Sequence, residues 1–82
     1  MLHREALKKI TAFVLATIRT GREYDVVEEI RKIGGVKDAF ITYGAWDAVI
    51  IVEVDKLSQL EDVVYRIRRI DGVENTTTLV GV

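Results

Sequence analysis

Residues 25–36, DVVEEIRKIGGV, return 37 positions later as residues 62–73, DVVYRIRRIDGV, identical at eight of twelve places. In a chain of 82 residues, long enough for one small core only, such a repeat means that a single structural unit is used twice. Both copies carry apolar residues at helical spacing: Val26, Val27, Ile30 and Ile33 in the first, Val63, Val64, Ile67 and Ile70 in the second, which Leu57 and Leu60 extend backward. Two amphipathic helices are predicted. Gly35 and Gly72 are placed to end them, since glycine tolerates the left-handed backbone that stops a helix. Thr20 with Glu23 resembles a capping box for the first helix, and Asp55 an N-cap for the second.

Segments that favour strands flank each helix: AFVLATI (12–18), VKDAFITY (36–43), DAVIIVEV (47–54) and TTTLV (76–80). The order β-α-β-β-α-β is an α+β, ferredoxin-like plan, an antiparallel sheet with both helices on one face. Residues 1–10 remain as an N-terminal arm, and residues 11–82 form the domain. The strands do not alternate between apolar and polar as a sheet with one wet face should. Strand one sends Phe13 and Leu15 one way and Val14, Ala16 and Ile18 the other, while Ala48 to Val52 are apolar on both sides. Two helices cover one face only. A second copy packed sheet to sheet is the expected cover for the other, because a bare face of this kind exceeds the apolar patches that soluble monomers expose. Zero cysteines, one histidine and 49% hydrophobic residues point the same way, since disulfides and metals are nearly closed to this chain as sources of stability.

The formal charge of −1 is spread over interspersed acids and bases, so no positive field would attract a polyanion, and direct nucleic-acid binding is not expected. No apolar run approaches the ~20 residues of a membrane span. The chain reads as soluble and cytoplasmic. His3 stands alone and makes no metal or catalytic site. Arg66, Arg68 and Arg69, like Arg31 and Lys32, sit where basic residues offset a helix dipole. No phosphate loop, metal-ligand spacing or nucleophile-base motif is present.

Taken together, the βαββαβ order, the IGGV and IDGV helix ends, the YGAWD turn entering strand three and the terminal TTTLVGV resemble the regulation-of-amino-acid-metabolism (RAM) domain of Lrp/AsnC transcription regulators. The resemblance covers about residues 11–82. Only ten residues precede it here, too few for the helix-turn-helix that family members carry, so a stand-alone RAM protein without DNA binding of its own is expected. The resemblance implies a module that binds a free amino acid or related effector between dimers, needs no cofactor, and assembles into octamers or similar rings. Full-length Lrp/AsnC regulators are implied as further partners. By position it assigns ligand contact to Tyr43, Gly44, Asp47, Thr76 and Thr78, with Trp46 as a lid or interface anchor. Ala45 stands where a polar residue is often found.

The residue chemistry of the turn is compatible with that assignment. A zwitterionic amino acid needs an anion for its ammonium group and N–H or O–H donors for its carboxylate, in a place that excludes water. Asp47 supplies the anion, backbone N–H groups near Gly44 and the hydroxyls of Thr76 or Thr78 the donors, and Tyr43 or Trp46 a cover. Each residue also has a plainer role. Gly44 permits positive φ in a hairpin, Asp47 can bond loop N–H groups, Trp46 can anchor a subunit contact, and the threonines are good strand formers. The expected function is therefore an effector-binding and oligomerisation module of transcription regulation, not an enzyme. The alternative is a small dimeric ferredoxin-like enzyme acting on a metabolite. RNA binding on the sheet ranks third, because strand three offers no aromatic residue for base stacking.

Overall fold

A computed structural model describes residues 9–82; His3 and most of the N-terminal arm lie outside them. The chain runs β1 (Ile10–Ile18), α1 (Glu23–Arg31), β2 (Val36–Ile41), β3 (Ala48–Val54), α2 (Leu57–Arg68) and β4 (Val73–Val80). The strands form one sheet in the order β2-β3-β1-β4, with every neighbouring pair antiparallel. This is the βαββαβ plan expected from the repeat.

The helices pack on one side because their apolar stripes match the even-numbered residues of the central strands. Val26, Val27 and Ile30 of α1 and Leu60, Val63 and Ile67 of α2 close over Ala12, Val14 and Ala16 of β1 and Ile50 and Val52 of β3, all buried. Alanines in β1 leave room for the larger helix residues above them, which lets two helices lie close to a narrow sheet. The two copies of the repeat are related within the core. A Cβ on Gly35, after α1, would come 2.9 Å from Val63 of α2, and a Cβ on Gly72, after α2, would come 2.9 Å from Val26 of α1. Val26 and Val63 are equivalent positions of the repeat, as are Gly35 and Gly72, so each unit receives the other's turn in the same way.

Several local expectations are corrected. α1 begins at Glu23 with Arg22 at its N-cap and no side-chain cap; Thr20 takes no part, and the Glu23 carboxylate accepts from the Gly21 N–H instead (2.9 Å). Asp55 does not cap α2 either. Gln59 returns its side-chain oxygen to the N–H groups of Asp55 (2.8 Å) and Lys56 (2.9 Å), so a neutral amide does what the carboxylate was expected to do. Gly35 and Gly72 do have positive φ (97° and 108°), but both lie beyond the last helical residue, in the turn that feeds the next strand. β4 starts at Val73, three residues before the threonines, because pairing with β1 continues through Asn75↔Thr17 and, across a bulge, Val73↔Ile18. β2 stops at Ile41, leaving Thr42 and Tyr43 to the loop.

The helix-free face carries two apolar rows that cross the sheet. Phe40, Val49 and Leu15 lie side by side in one, and Ile51, Phe13 and Leu79 in the other. Within one subunit Phe13, Phe40 and Leu79 stay 37%, 46% and 51% exposed, far more than such side chains retain once covered. The two sheet edges differ as well. β2 is bulged between Val36 and Asp38, and the main chain of Ala39 is occupied by side chains: its N–H donates to Asp38 (2.8 Å) and its carbonyl accepts two bonds from Arg31 (3.2 and 2.7 Å). Among the described residues no helix is long and apolar enough to cross a membrane.

Candidate functional site

The loop from β2 to β3 is held by short hydrogen bonds at the end of the sheet where β1 leaves the core. The Thr42 N–H donates to the Asp47 carbonyl (2.9 Å), and the Thr42 hydroxyl donates to the Trp46 carbonyl (2.7 Å). Those two bonds close the turn, and Gly44 passes through it with φ +123° and open space where a Cβ would stand. Tyr43 is fully exposed at 103%, whereas Trp46 is half-buried.

Asp47 links this loop to β1. Its N–H donates to the Ala16 carbonyl (2.8 Å), and its carboxylate oxygen Oδ2 accepts from the N–H of Ile18 (2.7 Å). Ile18 is buried, and its N–H would otherwise lack a partner where the β1–β3 ladder runs out, so the carboxylate replaces a strand carbonyl. The plainer role of Asp47, bonding a main-chain N–H, is therefore real. It uses one oxygen. Oδ1 has no hydrogen-bond partner among the described residues.

Thr76 and Thr78 lie on the other side of β1, opposite Ala16 and Val14 respectively, and both are half-buried. Ala16 thus has Thr76 on its β4 side and the Asp47 N–H on its β3 side, which brings two of the expected site residues to the same end of the sheet. Thr78 lies further along β4. It floors a groove of about 660 Å³ between α2 and β4, walled by Leu60, Val64, Tyr65 and Arg68, while Arg68 also adjoins Thr76 and Glu74 in a smaller recess. Tyr65 and Arg68 are residues that sequence reasoning missed at this place. Helix spacing shows that both are outward-facing, but only the tertiary fold shows that they stand over the threonines of β4. In one subunit the turn residues and Thr78 do not converge on a single cavity, and no polar or charged residue among those described is buried.

The model of the Lrp/AsnC ligand binding domain matches residues 11–81. The chain belongs to the Lrp/AsnC ligand-binding domain family. It is similar to a protein of Thermus thermophilus, with 35% identity over 89% of this chain and 92% of that one and a TM-score of 0.85. A hypothetical protein from Pyrococcus horikoshii is similar at 31% identity, covering 89% of each chain with a TM-score of 0.82. A transcriptional regulator from Neisseria meningitidis, solved as a complex with L-Met, shares the fold at 19% identity and a TM-score of 0.82; the match covers all of this chain and 56% of the regulator. A search of curated proteins finds no match. The family is a ligand-binding regulatory module, and its fold is the one that the repeat and the strand order describe.

Proposed function

We propose that this Lrp/AsnC-type domain is a sensor of a free amino acid or a close relative, and that the ligand acts by stabilising an assembly of copies. The observation that carries this reading is the half-used carboxylate of Asp47. Its Oδ2 is fixed by the Ile18 N–H at 2.7 Å, which holds Oδ1 in place for an ammonium group at no further cost in side-chain ordering. Donors for the ligand carboxylate are at hand in the N–H groups around Gly44 and in the Thr76 and Thr78 hydroxyls. Tyr43 and Trp46 supply apolar cover once another subunit closes over the loop. The L-Met complex of the Neisseria regulator supports an amino acid as the ligand class.

Because the turn site of one subunit lies open, a neighbouring copy completes it. Packing the helix-free faces of two subunits together covers the rows around Phe13 and Phe40 and makes a dimer as the building block. A ligand held between copies then favours whichever assembly contains the whole site. The module works without contacting DNA itself, by changing its own assembly or by joining full-length regulators of the family.

The test separates ligand binding from folding. Asp47→Ala is a poor probe, because it leaves the Ile18 N–H without its acceptor and is expected to cost about 2 kcal/mol of stability. Asp47→Asn keeps an oxygen for that N–H and removes the charge. Thermal melts with a panel of amino acids, methionine included, should show wild type stabilised by at least one of them, by about 2.7 kcal/mol at a hundredfold excess over Kd. Asp47→Asn should melt near wild type without ligand and lose most of that gain. An undiminished gain in the Asn variant would refute the assignment of Asp47.

A further inference from the structure

The two copies of the repeat share an arginine and use it differently. Arg31 and Arg68 stand at the same place in the two units, and Ala39 and Thr76, on the edge strands that follow, are separated by the same 37 positions. In the first unit the arginine is fully engaged. Its guanidinium donates twice to the Ala39 carbonyl (3.2 and 2.7 Å), pairs with Glu28 at 2.6 Å and approaches Asp38 to 3.9 Å. In the second unit Arg68 borders Thr76 as Arg31 borders Ala39, but both carboxylates are missing. Tyr65 stands in the place of Glu28, and Asn75 in the place of Asp38.

Arg68 is consequently the one arginine among the described residues with neither an ion pair nor a hydrogen bond. Arg19, Arg22 and Arg66 pair with Asp71, Asp25 and Asp62, and Arg69 donates to the Tyr65 hydroxyl at 2.7 Å. Offsetting the helix dipole does not account for this difference, because Arg66 serves the same last turn and still keeps a partner. The surroundings of Arg68 suit an anion brought by a ligand. Thr76 lies opposite Ala16, whose side chain is buried beneath the helices. Facing residues of paired strands share one side of a sheet, so the Thr76 hydroxyl is on the α2 side with Arg68. Leu60, Val64 and Tyr65 wall the adjoining groove and keep water from one side of the guanidinium. In open water an ion pair gains little. Beside an apolar wall, and with a guanidinium able to grip both oxygens of a carboxylate, it gains more. Glu61 and Glu74 border the groove and the recess, yet neither pairs with Arg68.

We propose that Arg68 is the carboxylate-binding residue of the effector site, with the Thr76 hydroxyl beside it. The ligand's carboxylate takes the place that Glu28 and Asp38 fill around Arg31 in the first unit. This assignment rests on the amino-acid reading above for the class of ligand, and it adds a selection for the acid. Asp47 calls for an ammonium group and Arg68 for a carboxylate. Amines and amino alcohols carry the first group and lack the second, so the site discriminates against them.

Calorimetry tests this with the amino acid of the panel that most stabilises wild type and the amino alcohol made from it, L-methionine and L-methioninol where methionine leads. The alcohol keeps the ammonium group and the side chain and lacks the negative charge. Wild type should prefer the acid by about tenfold to a hundredfold, the range of a hydrogen bond to a charged group. Arg68→Gln should lose about tenfold or more in affinity for the acid and little for the alcohol, and Arg68→Lys should recover part of the loss. Arg66→Gln removes a charge from the same helix turn and should keep the wild-type preference, which a general effect on the dipole would not. Tyr65→Glu gives Arg68 the partner that Arg31 has, so the preference should fall there and persist in Tyr65→Gln. Both Arg68 variants should melt near wild type without ligand, since the guanidinium bonds nothing in the subunit. An acid preference undiminished in Arg68→Gln, or lost equally in Arg66→Gln, would overturn the assignment and leave the sensor reading standing. Stabilisation of wild type by no amino acid would overturn the sensor reading itself, and the role of Arg68 with it.

Discussion

Gly72→Ala is expected to lower the stability of the domain by about 3 kcal/mol. Two costs add. The backbone at Gly72 has φ +108°, where an L side chain loses about 1 to 2 kcal/mol. The new Cβ would also stand 2.9 Å from Cγ2 of Val26 and 3.3 Å from Cβ of Arg22. Val26 is completely buried and its side chain is stiff at χ1, so relief requires α1 to shift, at about 1 to 3 kcal/mol for an overfilled core. In a domain of this size the melting temperature should fall by about 12 to 24 °C. Urea unfolding and thermal melts at one fixed protein concentration measure it, since the proposed self-association would make apparent stability depend on concentration. Gly21→Ala separates the two costs. Gly21 has φ +93° with nothing within 4 Å of its Cβ position, so it should lose only the backbone part. Gly35→Ala should behave like Gly72→Ala, since its Cβ would meet Val63 and Val54 at 2.9 and 3.1 Å. Equal losses at positions 21 and 72 would show that the reciprocal packing of the two repeats carries no weight.

The repeat is also the reason that so much of the fold was legible. Helical periodicity and the glycines that follow it are local signals, and two copies of them fixed both helices and, with the strand runs between, the βαββαβ order. The unusual apolarity of both strand faces likewise foretold the rows around Phe13 and Phe40. What sequence could not supply was contact between distant segments. Asp47 reads as a turn residue whose carboxylate serves a ligand or N–H groups of its own loop, yet the structure spends one oxygen on Ile18, 29 positions away. Arg68 reads as a residue that offsets a helix dipole, yet it borders Thr76 across the gap between α2 and β4. The capping expectations failed for a related reason: the residues with the best capping chemistry, Thr20 and Asp55, lie just before the N-cap positions, which fall to Arg22 and Lys56. Propensity ranks candidates for a cap, and the path of the chain chooses among them.

Phe13→Asp should separate the subunits of the proposed sheet-to-sheet dimer while leaving each subunit folded. Phe13 sits on a central strand between Ile51 and Leu79, at the middle of one apolar row, and within a single subunit it is already 37% exposed. An aspartate there meets water in the isolated subunit and costs its fold little. Between two packed faces the same carboxylate is buried without a partner, at about 3 kcal/mol, and twofold symmetry repeats the loss in the second copy. The total of about 6 kcal/mol weakens association by about four powers of ten, enough to turn a micromolar contact into one that does not form at ordinary concentrations. Light scattering should show the mass halved, and circular dichroism should show the helix and strand signals kept. Tyr24→Asp is the control, because Tyr24 lies on the outer side of α1 at 79% exposure and its replacement should leave the mass unchanged. The sheet-face contact is wrong if Phe13→Asp keeps the wild-type mass. If instead the variant unfolds, the apolar face is needed by the subunit alone, and the rows of Phe13 and Phe40 stabilise the sheet itself more than its contact with a second copy.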